Sequence, residues 1–385
     1  MSGAPLVRGA RVAVLVSLAA MLSACSALPS FLGGGPDRPK PAELAPNPAL
    51  IGVRQAWSAR IGDVGFPLSV QVNDTRVTVA AGDGTVAAFD AATGRELWRA
   101  AVGAPLAAGV GSDGTRSAVV TRENQLVGLA DGKVAWREPL QAQSYTPPLV
   151  AGGRVFVLAA DRSVTAHDGA TGRRLWSLQR PGEPLVLRQA GVLLPVGNTL
   201  LVGQGGRLAA LDPDTGNVRW EAPIGTSRGT NDVERLVDLV GPASRVGESV
   251  CARAFQAAVG CVDVQRGSVR WTRRASGAEG LAGDERQVFG TEADGRVQAW
   301  NRADGDPAWN TDLLKWRGLT APLLIGRSVA VGDSTGLVHL LSREDGSLLN
   351  RLSTDGSAIA AAPVLAGNTL VVVTRSGGVF GFVPN

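Results

Sequence analysis

Short apolar runs recur along the chain between clusters of Gly and Asp, and their spacing repeats. The pattern is plainest when Gly84–Trp98, Gly206–Trp220 and Gly295–Trp309 are aligned. Weaker copies end at Trp136, Trp176, Trp271 and Asn350, and Trp57 closes a unit whose earlier part has no counterpart upstream. The closing positions are 57, 98, 136, 176, 220, 271, 309 and 350, at steps of 41, 38, 40, 44, 51, 38 and 41. Within a window the residues are apolar on both sides of a two-residue period: Val86 and Ala88 face one way, Ala87 and Phe89 the other, before Asp90 to Gly94 turn the chain. A strand apolar on both faces belongs between two other sheets.

Upstream of each window lies another β run, such as residues 76–80 or 154–159, joined to it by a tight turn like Gly82-Asp83-Gly84. A further inner strand, of the kind found at 105–110, completes a four-stranded antiparallel unit. Eight such units stacked radially make an all-β, eight-bladed β-propeller spanning residues 51–385. Three runs, 359–365, 369–374 and 379–383, follow Asn350 without a fourth, while Trp57 sits on a fourth strand without its first three. Pairing the N-terminal strand with the C-terminal ones closes the ring and removes an open edge.

Trp57, Trp98, Trp136, Trp176, Trp220, Trp271 and Trp309 recur at one position. A stacking platform would need to line a groove, whereas regular recurrence fits a wedge between neighbouring blades. Asn350 at the same position suggests a looser wedge in the last interface. Trp300 and Trp316 fall outside this position, with one or both exposed or in ordinary strand contacts. His167 and His339 occupy strand positions and read as strand histidines, not ligands.

Composition narrows the chemistry. The 385 residues include 50 Gly, which suits frequent turns, and only 2 His, too few for a histidine metal cluster. The net charge of +4 falls by two if Arg8 and Arg11 are removed, and nothing suggests a nucleic-acid partner.

Those two arginines precede an apolar run at 12–22, too short for a permanent transmembrane helix, followed by Ser23, Ala24 and Cys25. Residues 1–24 therefore read as a cleaved export signal. Leu22-Ser23-Ala24-Cys25 resembles the bacterial lipobox, which implies acylation of Cys25, and Ser26 in the next position is what outer-membrane lipoproteins carry. Residues 26–50 hold six Pro and the Gly33–Gly35 triplet and read, with Cys25, as a tether.

Cys251 and Cys261 flank a hairpin centred on Gln256. Centred pairing puts them opposite each other within disulfide reach, and a one-residue slip puts them on opposite faces, so a disulfide and two buried thiols are both open.

The pattern A-x-D-x-x-T-G-x-x-x-W in Ala88–Trp98, Ala166–Trp176 and Ala210–Trp220 resembles the PQQ-type propeller repeat. That repeat serves quinoprotein dehydrogenases and the BamB family, lipoproteins of the outer-membrane β-barrel assembly machinery. With the lipobox, the tether and eight blades, the chain resembles BamB over nearly its whole length. The quinoprotein alternative needs a cation site, often beside adjacent cysteines, which this chain lacks; Asp90, Asp168 and Asp212 recur at turns and read as structural.

The BamB resemblance implies a non-enzymatic scaffold with no cofactor and no metal, held on the periplasmic face of the outer membrane by acyl chains on Cys25. Its implied partners are BamA and unfolded outer-membrane proteins. Segments 184–189 and 233–240 are similar to those carrying the BamA surface in that family. By that likeness Leu185, Leu187, Arg188 and Asp238 are the contact residues, while Val240 stands where the family has a second acid. The competing reading makes Leu185 and Leu187 part of a blade's inner strand. An exposed aromatic cluster of the kind a sugar binder needs is not evident.

Overall fold

A computed structural model describes residues 39–180, 185–227, 231 and 235–385. Arg8, Arg11, the signal segment and Cys25 lie outside the described residues, as do Pro184, Val233 and Glu234. Pro41–Asn385 is one compact unit, distinct from Met1–Lys40.

The described chain is all-β, with eight four-stranded antiparallel sheets. Blades 1 to 7 run in chain order over residues 71–101, 106–139, 149–178, 193–223, 239–274, 281–311 and 323–353. Blade 8 takes its inner three strands from 364–384 and its outer strand from Val53–Arg60, which pairs antiparallel with Gly378–Pro384. The expected closure of the ring by both chain ends is therefore present. The inner strand of blade 8 is shorter than the run 359–365 suggests: it covers Val364–Ala366, and Ile359 makes only an isolated bridge to Thr374.

Burial follows the two-sided apolar pattern. The central strands Arg76–Ala80 and Thr85–Asp90 of blade 1 are almost wholly inaccessible, and so are their counterparts around the ring. Each pair of neighbouring blades shares a core, such as Phe156 and Val164 of blade 3 against Leu200 and Leu211 of blade 4, or Ala330 and Leu340 of blade 7 against Leu370 and Val372 of blade 8. The inner strands border a central channel of about 920 Å³. Pro148, Pro322 and Pro363 stand immediately before three of them and line it. Proline suits this unpaired edge because it has no N–H to leave unsatisfied.

The recurring tryptophans fill the seams between blades. Trp57 of blade 8 lies so close to Gly94 in the turn of blade 1 that a Cβ on that glycine would come within 2.5 Å of the indole, and Gly94 also has φ +71°. The same Trp-on-glycine contact pairs Trp98 with Gly132, Trp136 with Gly172, Trp176 with Gly216, Trp220 with Gly267, Trp271 with Gly305 and Trp309 with Gly346. Five of the seven indoles also donate to a backbone carbonyl of the next blade, as Trp57 does to Ala91 at 2.7 Å. Asp90, Asp168, Asp212 and Asp263 accept within their own turns: Asp90 takes both the N–H and the hydroxyl of Thr93, and Asp168 does the same with Thr171.

Asn350 differs for a topological reason. Blade 8 has no turn between its third and fourth strands, because Gly378–Pro384 and Val53–Arg60 are not consecutive in the chain, so no turn glycine exists for a Trp to cover. Instead of a loose contact the structure has a polar one: Asn350, only 5% exposed, donates to Ile51 O at 2.7 Å and accepts from Asn47 Nδ2 at 2.9 Å. Residues 41–50, part of the expected tether, are bound along blade 7. Ala42 donates to Lys315 O, Arg317 and Arg351 donate to Ala42 O and Ala45 O, and Leu50 donates to Leu349 O, while Leu44 packs on the core shared by blades 6 and 7.

Cys251 and Cys261 are directly opposite on adjacent strands with Cα atoms 3.9 Å apart, and they are joined by a disulfide. Trp300 is buried beneath the Arg253 guanidinium, whereas Trp316 is exposed. Both histidines are buried and bonded, His167 to Gly172 O and Thr165, His339 to Asp333.

Candidate partner-binding site

Antiparallel order places two kinds of connection at opposite ends of the strands. One face carries the Asp-Gly turns between third and fourth strands; the other carries the second-to-third-strand hairpins and the links from each blade to the next. All four residues expected to meet a partner lie on this linking face.

The segment around Leu185 precedes blade 4, whose inner strand is Leu193–Val196. Leu185 and Leu187 are therefore in the link and not in a strand. Leu185 is 38% exposed, Arg188 is exposed, and Leu187 is half-buried. Asp238 lies 51 residues beyond Leu187, just before the inner strand Leu239–Val246 of blade 5, yet the fold brings the two together: the Leu187 N–H donates to Asp238 Oδ2 at 3.2 Å. Val240 is buried within that strand and bridges to Gly191, so it lies under the link and not on the surface.

Two residues outside the expected set complete the cluster. Arg162 caps the hairpin between Arg154–Leu158 and Val164–Asp168 of blade 3, at φ +66°, in a turn made by Asp161 accepting from the N–H and hydroxyl of Ser163. Its guanidinium donates to Asp238 Oδ1 at 2.9 Å and to Leu185 O at 3.4 Å. The Asp238 carboxylate is thus engaged through both oxygens inside the molecule, and its side chain and that of Arg162 are only 17% and 13% exposed. A charge-assisted bond of this kind contributes about 1.5–3 kcal/mol. Arg162 sits on an ordinary hairpin of the repeat, so nothing local marks it.

Tyr145 is the second. The Arg188 guanidinium lies 5.3 Å from its ring centre, a cation–π contact that holds the arginine over the link between blades 2 and 3. Tyr145 is the chain's one tyrosine, a signal that composition alone could have raised. Gln189 ties the far end of the segment by donating to Ala278 O at 2.6 Å, and the Gly191 N–H donates to Thr146 Oγ1. Beside Gln189, Glu279 lines the channel with Arg188 and Arg375. Burial pushes its carboxyl up to about 7, against the pull of Arg253 and Arg375.

The resulting surface has two leucines and a held arginine above an internal ion pair. The turn acids are committed to their own loops: Asp212, for example, is lowered to about 2 by Arg219 and by N–H donors of its turn. Among the described residues no group of three or more His, Cys, Asp and Glu gathers as a metal site.

A family model described as outer membrane protein assembly factor BamB matches residues 82–311. The chain belongs to the BamB family. It is 40% identical to the BamB of Burkholderia pseudomallei over 89% of this chain and 91% of that one. Identity to the BamB of Bordetella pertussis is 38%, with 96% of each chain covered. Among solved structures, BamB from Moraxella catarrhalis matches with a TM-score of 0.79 and 26% identity, covering 86% of this chain and 99% of that one. A quinohemoprotein alcohol dehydrogenase from Comamonas testosteroni shares the fold, at a TM-score of 0.66 and 16% identity over 89% of this chain and 78% of the enzyme. At that identity the likeness is architectural and carries no chemistry with it.

Proposed function

We infer that the protein serves outer-membrane protein assembly as a binding scaffold within the BamB family, and not as an enzyme. Its direct partner in this reading is BamA, engaged by Leu185, Leu187 and Arg188, with unfolded outer-membrane proteins as the further clients. The protein works at the periplasmic face of the outer membrane, anchored by acyl chains on Cys25. The supporting observation is the arrangement of the link before blade 4. An exposed leucine, a half-buried one and an arginine already fixed on Tyr145 form a small apolar surface with a charged border, held on a rigid ring. Such anchors dominate binding when the groups around them exclude water. A ring that holds its partner in one orientation raises the local concentration of clients without any covalent step.

The test is copurification of the mature chain with BamA. Wild type should retain BamA, and Arg188→Glu should lose most of it, because the reversed charge abandons both Tyr145 and the partner. Retention of BamA at wild-type level by Arg188→Glu would reject this surface. A quinone absorption band in the purified protein would favour the enzyme alternative.

A further inference from the structure

We propose that Arg162 is a positioning residue for the partner-binding link, forming with Asp238 an internal latch that shapes residues 185–188 from beneath. Asp238 then supports binding without itself touching the partner. This deepens the reading above and rests on it, since it takes Leu185, Leu187 and Arg188 as the residues that make contact.

The latch is built from three bonds that join segments distant in sequence. Arg162 donates to Asp238 Oδ1 and to Leu185 O, and the Leu187 N–H donates to Asp238 Oδ2. One ion pair therefore holds the carbonyl of Leu185 and the amide of Leu187, the two backbone groups on either side of Val186. No ladder bonds order this stretch, which precedes the first strand of blade 4. The ends of the latch are themselves fixed. The Asp161 turn sets Arg162, whose own carbonyl accepts from Gln204 of blade 4 at 3.2 Å. The Asp238 carbonyl accepts from the Phe255 N–H of blade 5 at 3.0 Å, and the next N–H, Leu239, donates to Gly205 O. Blades 3, 4 and 5 all meet here.

Exposure assigns the roles. Arg162 and Asp238 side chains are nearly covered, at 13% and 17%, whereas Leu185 and Arg188 above them are open. A carboxylate with both oxygens taken has little left to offer a partner, but it can spare the link the entropy of being ordered at the moment of binding. Pre-ordering of that kind raises affinity without adding a contact.

The experiment uses the mature full chain and the periplasmic domains of BamA. It reads affinity, the salt dependence of the association rate, thermal unfolding, and hydrogen exchange of peptides covering 185–190 in the free protein. Arg162→Ala should weaken binding by about tenfold and speed exchange in 185–190 far more than in 199–211, with a melting temperature lowered by no more than the loss of one ion pair. Arg162→Lys should recover part of the affinity through the Asp238 bond. Asp238→Asn should be milder than Asp238→Ala, because an amide oxygen still accepts from Leu187, and it should leave the salt dependence unchanged. Wild-type affinity in Arg162→Ala overturns the proposal. So does an Asp238→Asn variant as weak as Asp238→Ala with altered salt dependence, since the carboxylate then meets the partner directly. Full binding by Arg188→Glu, with faster exchange at 185–190 in Arg162→Ala, would instead remove the contact surface and leave a purely structural latch.

Discussion

The two faces of the ring obey different rules. On the turn face the same contacts recur seven times: a tryptophan covers a glycine in the next blade, and at Asp90, Asp168 and Asp212 the acid folds back onto its own turn. On the linking face the connections range from residues 102–105 to residues 179–192 and 224–238, and the expected binding residues sit on the two longest. A turn trapped under a neighbour's indole cannot lengthen without losing the seam. A link has only to span from rim to channel, and added length there costs little in closure entropy. In a repeat ring, then, the residues that recur hold the blades together, and those that do not recur are free to recognise something.

The largest effect that would sharpen this contrast is Trp271→Ala. The indole is 6% exposed in the seam between blades 5 and 6, and its loss should cost about 3–5 kcal/mol in denaturant unfolding. Affinity for the partner per folded molecule should be unchanged. Lost binding in protein that is still folded would mean that the faces are not independent.

Asn350→Ala probes the one irregular seam. It removes the bonds to Ile51 O and Asn47, and should lower stability by about 1–3 kcal/mol and speed hydrogen exchange at Leu50, whose N–H donates to Leu349 O. Unchanged protection at Leu50 would show that residues 41–51 hold without the clasp.

A pH-dependent effect concerns Glu279 at the channel wall. Its folded-state value of about 7 is raised from 4.5, so the folded state holds this proton more tightly than the unfolded chain does. The stabilisation is complete below about 4.5 and is lost as pH rises through about 7. The melting temperature should therefore carry a downward component over that window that Glu279→Gln abolishes, with the two proteins converging in slope outside it. An identical pH profile in the variant would place the titration elsewhere.

Much of the ring is written in the chain. Apolar residues on both faces of 85–90 require sheets on both sides, and the orphan strand around Trp57 has only the C-terminal runs as partners. The candidate site was partly legible. Leu185, Leu187, Arg188 and Asp238 came from family likeness, but the open position of Leu185 and Arg188 and the nearly covered one of Asp238 did not, because exposure depends on which blade passes beneath. Arg162 was invisible for the same reason: its hairpin resembles the others, and only the fold brings Asp238, 76 positions away, within bonding distance of it. At Asn350 the sequence marks the departure but not its sense, since a missing Trp looks like a looser seam until blade 8 is seen to join two non-consecutive strands with no turn between them.

Local periodicity and repetition determined the strands, the number of blades and the way the ring closes, because each follows from which side chains must leave water and how often that demand returns. Tertiary structure alone decided that residues 41–50 bind to blade 7, that Asp238 faces inward, and that Arg188 rests on Tyr145. These depend on distances between segments far apart in the chain, which a pattern of neighbours along the sequence does not encode.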